Sequence, residues 1–378
     1  MKNKSKTILT IFLIFLFVLS SQTSYANTVK TTKEQYTKNN IQSLTADIII
    51  PDDYDTIQKG IDNASYGDMI LIKSGVYEEY NIVVDKKIIL KGEELNSTII
   101  KGNGARDVLV IYADEVKVTN LTITHGGNMM EANIAMVANN CTISGNIING
   151  SNDMGIALYN SFGNIIENNF IINCTSTAIR LYQENYNNII VNNTIINNNG
   201  YGITIEESDN NIFSNNTIIS NHGGILLYDS MENTISKNKI SGGLSGIYLF
   251  ESEEQNVKNN KISACSKAIY IEESDENIVE KNQMENNTIG LFSSYSYDNI
   301  ITENNFISNE DHAKFNSLLT DNNFQKNMWY ENYWDNSFGI LPKAIKGIIF
   351  VQTAEFGDFF VPWLNIDWNP ARKPYEIQ

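Results

Sequence analysis

From Asp47 onward the chain alternates short apolar runs with breaks at Gly, Asn or Asp, as in "DIIIP", "DMILIKSG", "KKIILKG" and "STIIKGNG". No run is long enough for an ordinary helix and all are rich in Ile, so strands are expected. One stretch differs. In "YDTIQKGIDNAS", from Tyr54 to Ser65, Ile57 and Ile61 have the spacing of a short amphipathic helix.

The pattern then becomes a repeat. "NNKISACSKAIYIEES" (Asn259 to Ser274) closely rewrites "KNKISGGLSGIYLFES" (Lys237 to Ser252), 22 residues upstream. A motif Asn-x-Ile-x-x-Asn-x-Ile places its second Asn at Asn146, Asn169, Asn193, Asn216, Asn238, Asn260, Asn282 and Asn305, at intervals of 22 to 24 residues. A second motif, Gly/Ala-Ile-x-Leu/Ile, keeps step with it from Gly155, Ala178, Gly202, Gly224, Gly246, Ala268 and Gly290.

A unit this short cannot bury its apolar side alone and must stack on its neighbours. Strand alternation sends Ile156, Ile179, Ile203, Ile225, Ile247, Ile269 and Leu291 inward as one column. Leu158, Leu181, Ile205, Leu227, Leu249 and Ile271 form a second column, which Ser293 closes. Leucine-rich repeats share this length but return through a helical or irregular segment, whereas here the return is another Ile-rich strand. The predicted fold is all-β, a parallel β-helix with one repeat per coil and like residues stacked about 4.8 Å apart. An Asn at each bend can link its side-chain amide to the next coil, which satisfies polar groups that the bend would otherwise bury.

Bulk properties narrow the partners. The chain has 378 residues, 42% of them hydrophobic, so a large core needs no metal or disulfide. Net charge is −17, which excludes nucleic acid as a partner because phosphate binding needs a basic surface. Cys141, Cys174 and Cys265 are odd in number and far apart, so they are expected as buried hydrophobes, not a disulfide framework. Lys2, Lys4 and Lys6, the apolar run from Ile8 to Leu19 and Ser24-Tyr25-Ala26 together have the form of a secretion signal cut after Ala26. The expected organisation is a signal peptide (1–26), a polar tether (27–46), the β-helix (47–327) and a C-terminal cap segment (328–378). No span of the mature chain is expected to cross a membrane.

The outward positions of the second motif carry the candidate chemistry. One column reads Ala157, Arg180, Thr204, Leu226, Tyr248, Tyr270, Phe292, and the next Tyr159, Tyr182, Glu206, Tyr228, Phe250, Glu272, Ser294. At the strand ends follow Asn160, Gln183, Glu207, Asp229, Glu251, Glu273 and Tyr295. A serine column comes last (Ser161, Ser208, Ser230, Ser252, Ser274, Ser296), with Glu184 in place of one Ser. Aromatic rings beside carboxylates suit a sugar-binding groove, with Arg180, Tyr182, Tyr228, Tyr248, Tyr270, Phe292, Glu272 and Glu273 as its ligand-binding residues. Glu207, Asp229, Glu251 and Glu273 repel one another at coil spacing, and a hard cation such as Ca²⁺ is the cofactor such a ladder would take. Glu206, Glu207, Asp229 and Glu251 are the candidate acids and bases if the chain is a glycosidase or lyase.

Three segments together resemble the right-handed, pectate-lyase-like β-helix superfamily, in particular its exported NosD-like branch of carbohydrate-binding and sugar-hydrolase repeats. They are "IIIPDDYDTIQKGIDNASYGDMILIKSGVYEEYNIVVDKKIILKGE", the repeats from Cys141 to Asn309, and "NYWDN" from Asn332 to Asn336. The resemblance implies a right-handed, single-stranded β-helix with an N-terminal cap helix. It does not fix activity, because this fold hosts lyases, hydrolases, epimerases, adhesins and binding proteins. Polygalacturonase motifs are incomplete: Asp52-Asp53 lies in the N-terminal segment and "NHGG" at Asn221 is a partial match. The basic residue a lyase needs is represented on the aromatic face only by Arg180, with Arg106 and Arg372 elsewhere. His125, His222 and His312 share no metal-site spacing, and no Met/His/Cys cluster suits copper.

The expected function is therefore binding of extracellular or cell-envelope polysaccharide by a secreted, periplasmic or surface protein, without catalysis. Catalysis at the acidic face and a structural or adhesive envelope role are the alternatives. Trp329, Trp334, Trp363 and Trp368 gather near the C-terminus. They are expected to cover the open coil end, and an envelope protein partner would dock there.

Overall fold

The computed structural model describes residues 46–319, 326–351 and 359–377. The expected signal peptide and nearly all of the tether lie outside the described residues.

The described chain is a parallel β-helix built from three sheets. Sheet A runs from Ile48–Ile50 to Met328–Tyr330, sheet B from Gly75–Tyr77 to Tyr333–Trp334, and sheet C from Ile82–Val84 to Phe359–Asp367. Each coil visits A, B and C in turn and pairs in parallel register with the next, as Ile225 with Ile247 and Ile247 with Ile269. The last pair is the exception: Lys343–Val351 and Phe359–Asp367 run antiparallel.

Both expected inward columns are buried completely. They join Ile166, Ile190, Phe213, Ile235 and Val257 of sheet A and Ile171, Ile195, Ile218, Ile240 and Ile262 of sheet B in one continuous core. Each such side chain contributes about 2 kcal/mol on leaving water. The glycines of the second motif have a packing cause. A Cβ at Gly224 would lie 2.1 Å from the Gly246 carbonyl oxygen, and one at Gly246 would lie 2.3 Å from Ile262 Cγ2.

The expected helix forms at Ile57–Asn63, with the Thr56 side chain accepting from the Lys59 N–H at its start. Ile57 and Ile61 are fully buried and extend the core toward the N-terminus.

The asparagine ladder is continuous through Asn146, Asn169, Asn193, Asn216, Asn238, Asn260, Asn282, Asn304 and Asn332. Each Oδ1 accepts from the preceding rung's backbone N–H and side-chain Nδ2, as Asn216 Oδ1 does from Asn193 at 2.9 and 3.1 Å. The rung after Asn282 is Asn304, not Asn305. Asn305 is the first strand residue, where its homologues are Gln283 and Lys261. A second ladder, which the sequence reading missed, runs through Asn164, Asn188, Asn211, Asn233, Gln255, Asn277, Asn299 and Asn327. The serine column is a third, and there Asn185, not Glu184, fills the gap: Ser161 N–H donates to Asn185, and Asn185 N–H to Ser208. That corner has one extra residue, and both Gln183 and Glu184 take left-handed φ (56° and 48°) to hold it.

The coil continues past residue 327, where the sequence placed its end. Met328–Tyr330 and Tyr333–Trp334 still pair in sheets A and B. "NYWDN" acquires a physical meaning here. Asn332 is the last rung, Trp334 stacks on Phe306 at 4.2 Å, and Asp335 accepts from the Ser308 N–H and bonds His312 Nε2 at 2.6 Å. Asp367 then closes the ladder, accepting from the Asn332 N–H and from Trp334 Nε1.

Candidate functional site

The outer face of sheet C gathers the outward columns in the predicted register. Arg180 pairs with Thr204, Thr204 with Leu226, Leu226 with Tyr248, Tyr248 with Tyr270 and Tyr270 with Phe292. Beside them Tyr182 pairs with Glu206, Glu206 with Tyr228, Tyr228 with Phe250 and Phe250 with Glu272.

The rings, however, stack on one another. Tyr248 and Tyr270 lie 4.6 Å apart at 12°, Tyr270 and Phe292 5.3 Å apart at 9°, and Tyr228 and Phe250 5.3 Å apart at 21°. Parallel coils place equal side chains one above the next, so face-to-face contact between neighbours follows from register alone. A sugar cannot insert between these faces, so Tyr248 and Tyr270 present their rims outward. Glu272 is tied into the same stack. It accepts the Tyr248 hydroxyl. Burial, then Glu272, pushes both phenols well above their ordinary range. The Lys267 ammonium sits 3.6 Å from the Tyr270 ring centre, and burial lowers its pKa.

The aromatic row breaks in one coil. There Thr204 and Glu206 stand where the later coils carry rings. On the C-terminal side Tyr228, one of the more exposed rings, meets Phe250 on one face and has Glu206 as its neighbour on the other. On the N-terminal side the Arg180 guanidinium lies 4.5 Å from the Tyr182 ring centre and pairs with Glu206 at 2.9 Å. Tyr159 meets Tyr182 edge-on at 6.3 Å.

Two loops bound this region. Seven residues (102–108 and 125–131) connect sheet B to sheet C in the early coils, whereas three (220–222) suffice later. The second loop is strapped down: the Met130 N–H donates to the Asp153 carboxylate at 2.6 Å and its carbonyl accepts from the Tyr159 hydroxyl at 3.1 Å. Beneath it Ala132, Met154 and Ala157 form a small apolar cluster outside the main core. Asp107, half-buried beside Glu131, accepts from the Ala132 N–H, and burial pushes its carboxyl up to about 6. Tyr159 stands in the predicted outward column, whereas Met130, Asp107 and Glu131 lie outside every repeat motif. The only available signal was the longer spacing between strands before Ala132.

The corner acids behave differently from the expected ladder. Glu207, Asp229, Glu251 and Glu273 are exposed and occupy left-handed φ of 46° to 48° at the C-to-A corner. Among the described residues no three His, Cys, Asp or Glu side chains are grouped to hold a metal ion. Glu206 points into the break and is the candidate acid that the geometry brings against Arg180.

A family model described as "Periplasmic copper-binding protein (NosD)" matches residues 210–339, and one described as "Right handed beta helix region" matches residues 87–232. Among solved structures, the A-module of the Azotobacter vinelandii mannuronan C-5 epimerase AlgE6 is 13% identical, with 73% of this chain and 87% of that one covered at a TM-score of 0.54. The Dettilon tailspike protein is 14% identical over 82% of this chain and 74% of its own, at 0.60. DFA-IIIase of Arthrobacter chlorophenolicus A6 without its lid is 13% identical over 71% and 85%, at 0.57. At such identities the likeness is one of fold. No curated protein sequence matches significantly.

The donor set does not fit a resident copper ion. His125 Nδ1 bonds Thr124, His222 packs edge-on against Tyr201, and His312 bonds Asp335. Cys141, Cys174 and Cys265 are buried, with burial pushing their thiols up to about 11, 12 and 12. Among the described residues no helix is long and apolar enough to cross a membrane.

Proposed function

We propose that this right-handed parallel β-helix repeat protein is exported and binds extracellular or cell-envelope polysaccharide on the outer face of sheet C, without catalysis. The break in the aromatic row carries this reading. A polymer lying along the coil axis would meet the face of Tyr228, the Arg180–Glu206 pair and the rims of the stacked rings in sequence. Aromatic surface beside a donor and an acceptor is the combination that holds a sugar ring. Binding without turnover is favoured because Glu206 is already tied to Arg180 and the neighbouring acids stand apart at the solvent-exposed corner. One structural neighbour is by its name a mannuronan C-5 epimerase, which supports a glycan as the partner class. Phe338, Ile340, Leu341 and Trp368, all exposed near the C-terminus, are where an envelope protein partner would dock.

The test is thermal unfolding of the exported form with a panel of soluble polysaccharides, followed by an assay for new reducing ends or unsaturated products. A polymer-dependent rise in melting temperature that Tyr228→Ala abolishes supports the reading, because ligand bound to the native state stabilises it by mass action. Product formation from any bound polymer would replace binding with catalysis. No shift with any polymer would remove the glycan reading.

A further inference from the structure

The Met130 side chain reaches Arg180 from the loop over the face, with its Sδ 3.5 Å from Nη1. A thioether is a weak acceptor for a guanidinium, which offers five N–H donors. Arg180 Nε is buried and has no partner, and so is the hydroxyl of Thr204, the residue beside it in register and only 6% exposed. Two orphaned polar atoms in adjacent coils on one outward face are costly to leave unmet, and a ligand oxygen would satisfy them.

We propose that Met130 is a displaceable cover on a sugar subsite formed by Arg180, Thr204, Glu206 and Tyr228, and that the ring bound there is neutral and presents two adjacent hydroxyls. This rests on the glycan-binding reading and specifies its ligand. The loop need not move for the cover to open. The Met130 backbone is anchored by Asp153 and Tyr159, while its side chain is half exposed and can change rotamer alone.

Charge selects the ligand class. Arg180 is already matched by Glu206, and Arg106 by Glu131. Asp153 on the loop side and Glu207 and Asp229 at the corner add negative charge around the break. A carboxylated sugar would enter an acidic field with no unspent cation. A vicinal diol suits the pair instead: one hydroxyl accepts from the free Arg180 donors and another donates to Glu206, while the sugar's apolar face meets Tyr228.

The experiment is affinity electrophoresis of the whole protein in gels containing galactomannan or arabinoxylan, and in parallel alginate or polygalacturonate. Thr204→Val is the diagnostic variant. It removes an orphaned hydroxyl, so the free protein should be as stable as wild type or more so, yet retention by the neutral polymer should weaken. Met130→Ala should tighten retention by about threefold, because a competing cover is gone. Arg180→Lys should weaken it by about tenfold, with unfolding midpoints unchanged within a few degrees. If Tyr228→Ala abolishes retention while the Met130, Arg180 and Thr204 variants bind as wild type, this subsite is wrong and the broader face reading survives. Preference for the acidic polymers, lost in Arg180→Lys, would overturn the neutral class. No retention of wild type or Met130→Ala by any polymer would overturn both readings.

Discussion

Tyr270 lies face to face on Tyr248, ring centres 4.6 Å apart and planes 12° from parallel, and the Tyr248 hydroxyl donates to the carboxylate of Glu272. The pair is thus part of the wall and contributes to stability. Tyr270→Ala should cost about 2 kcal/mol in denaturant unfolding, from lost packing on both faces of the ring. Tyr270→Phe keeps the stack and should cost less than about 1 kcal/mol. If Tyr270→Ala were as stable as wild type, the stack would have no structural role.

Asn216 should be far less replaceable than its polarity suggests. Its Oδ1 satisfies the backbone N–H and side chain of Asn193, and its Nδ2 donates to Ile190 O at 2.9 Å and to Asn238 Oδ1 at 3.1 Å. Asn216→Ala leaves a buried N–H and a buried carbonyl without partners, an expected loss of about 3 kcal/mol. Asn215→Gly, one residue earlier at an exposed corner whose left-handed φ of 55° Gly adopts freely, is the control and should change stability by less than about 1 kcal/mol. Equal effects of the two substitutions would mean the ladder is incidental.

Gly246 tests one of the close approaches between coils. A Cβ there would stand 2.3 Å from Ile262 Cγ2 and 2.6 Å from the Ala268 carbonyl oxygen. Ala occupies the same position at Ala178 and Ala268, so Gly246→Ala should be tolerated at a cost of about 1 to 2 kcal/mol as the coil adjusts. Gly246→Leu should cost about 3 kcal/mol or more and lower the yield of folded protein. Circular dichroism melts of the three proteins decide the order.

The fold was legible because a solenoid writes one coil's rules many times. Period-two alternation gave the inward columns, and stacking by register turned each column into a ladder. Errors fell where a coil departs from its neighbours. "ENN" at Glu303 to Asn305 offered two asparagines for one rung, and the extra residue at Gln183–Glu184 hid Asn185 in the serine column. The site was half legible. Sequence placed Arg180, Glu206 and Tyr228 on one face, but whether rings present faces or edges depends on how side chains pack between coils. The Met130 loop was invisible because its contacts to Tyr159 and Arg180 span 29 and 50 residues and repeat nowhere else.

Two buried groups should give stability opposite slopes with pH. Burial holds the His312 imidazole below its ordinary 6.5, against the pull of Asp335, and its Nδ1 has no partner. The unfolded chain takes up that proton first, so this contribution is full above about pH 6.5 and is lost as pH falls below it. Asp107 runs the other way. Its ordinary value of 3.8 is raised to about 6 in the fold, so the folded chain keeps its proton longer. Its contribution is full below about pH 4 and is lost as pH rises through about 6. Denaturant midpoints should therefore fall less steeply for His312→Gln than for wild type between about pH 7.5 and about 5. Asp107→Asn, which cannot ionise but keeps an acceptor for the Ala132 N–H, should gain on wild type as pH rises from about 4 to about 6. Parallel curves for wild type and His312→Gln would show that the imidazole charges inside the fold, with Asp335 outweighing burial. Parallel curves for Asp107→Asn would show a carboxylate already ionised beneath the Met130 loop, and the loop would then lie over one more fixed negative charge.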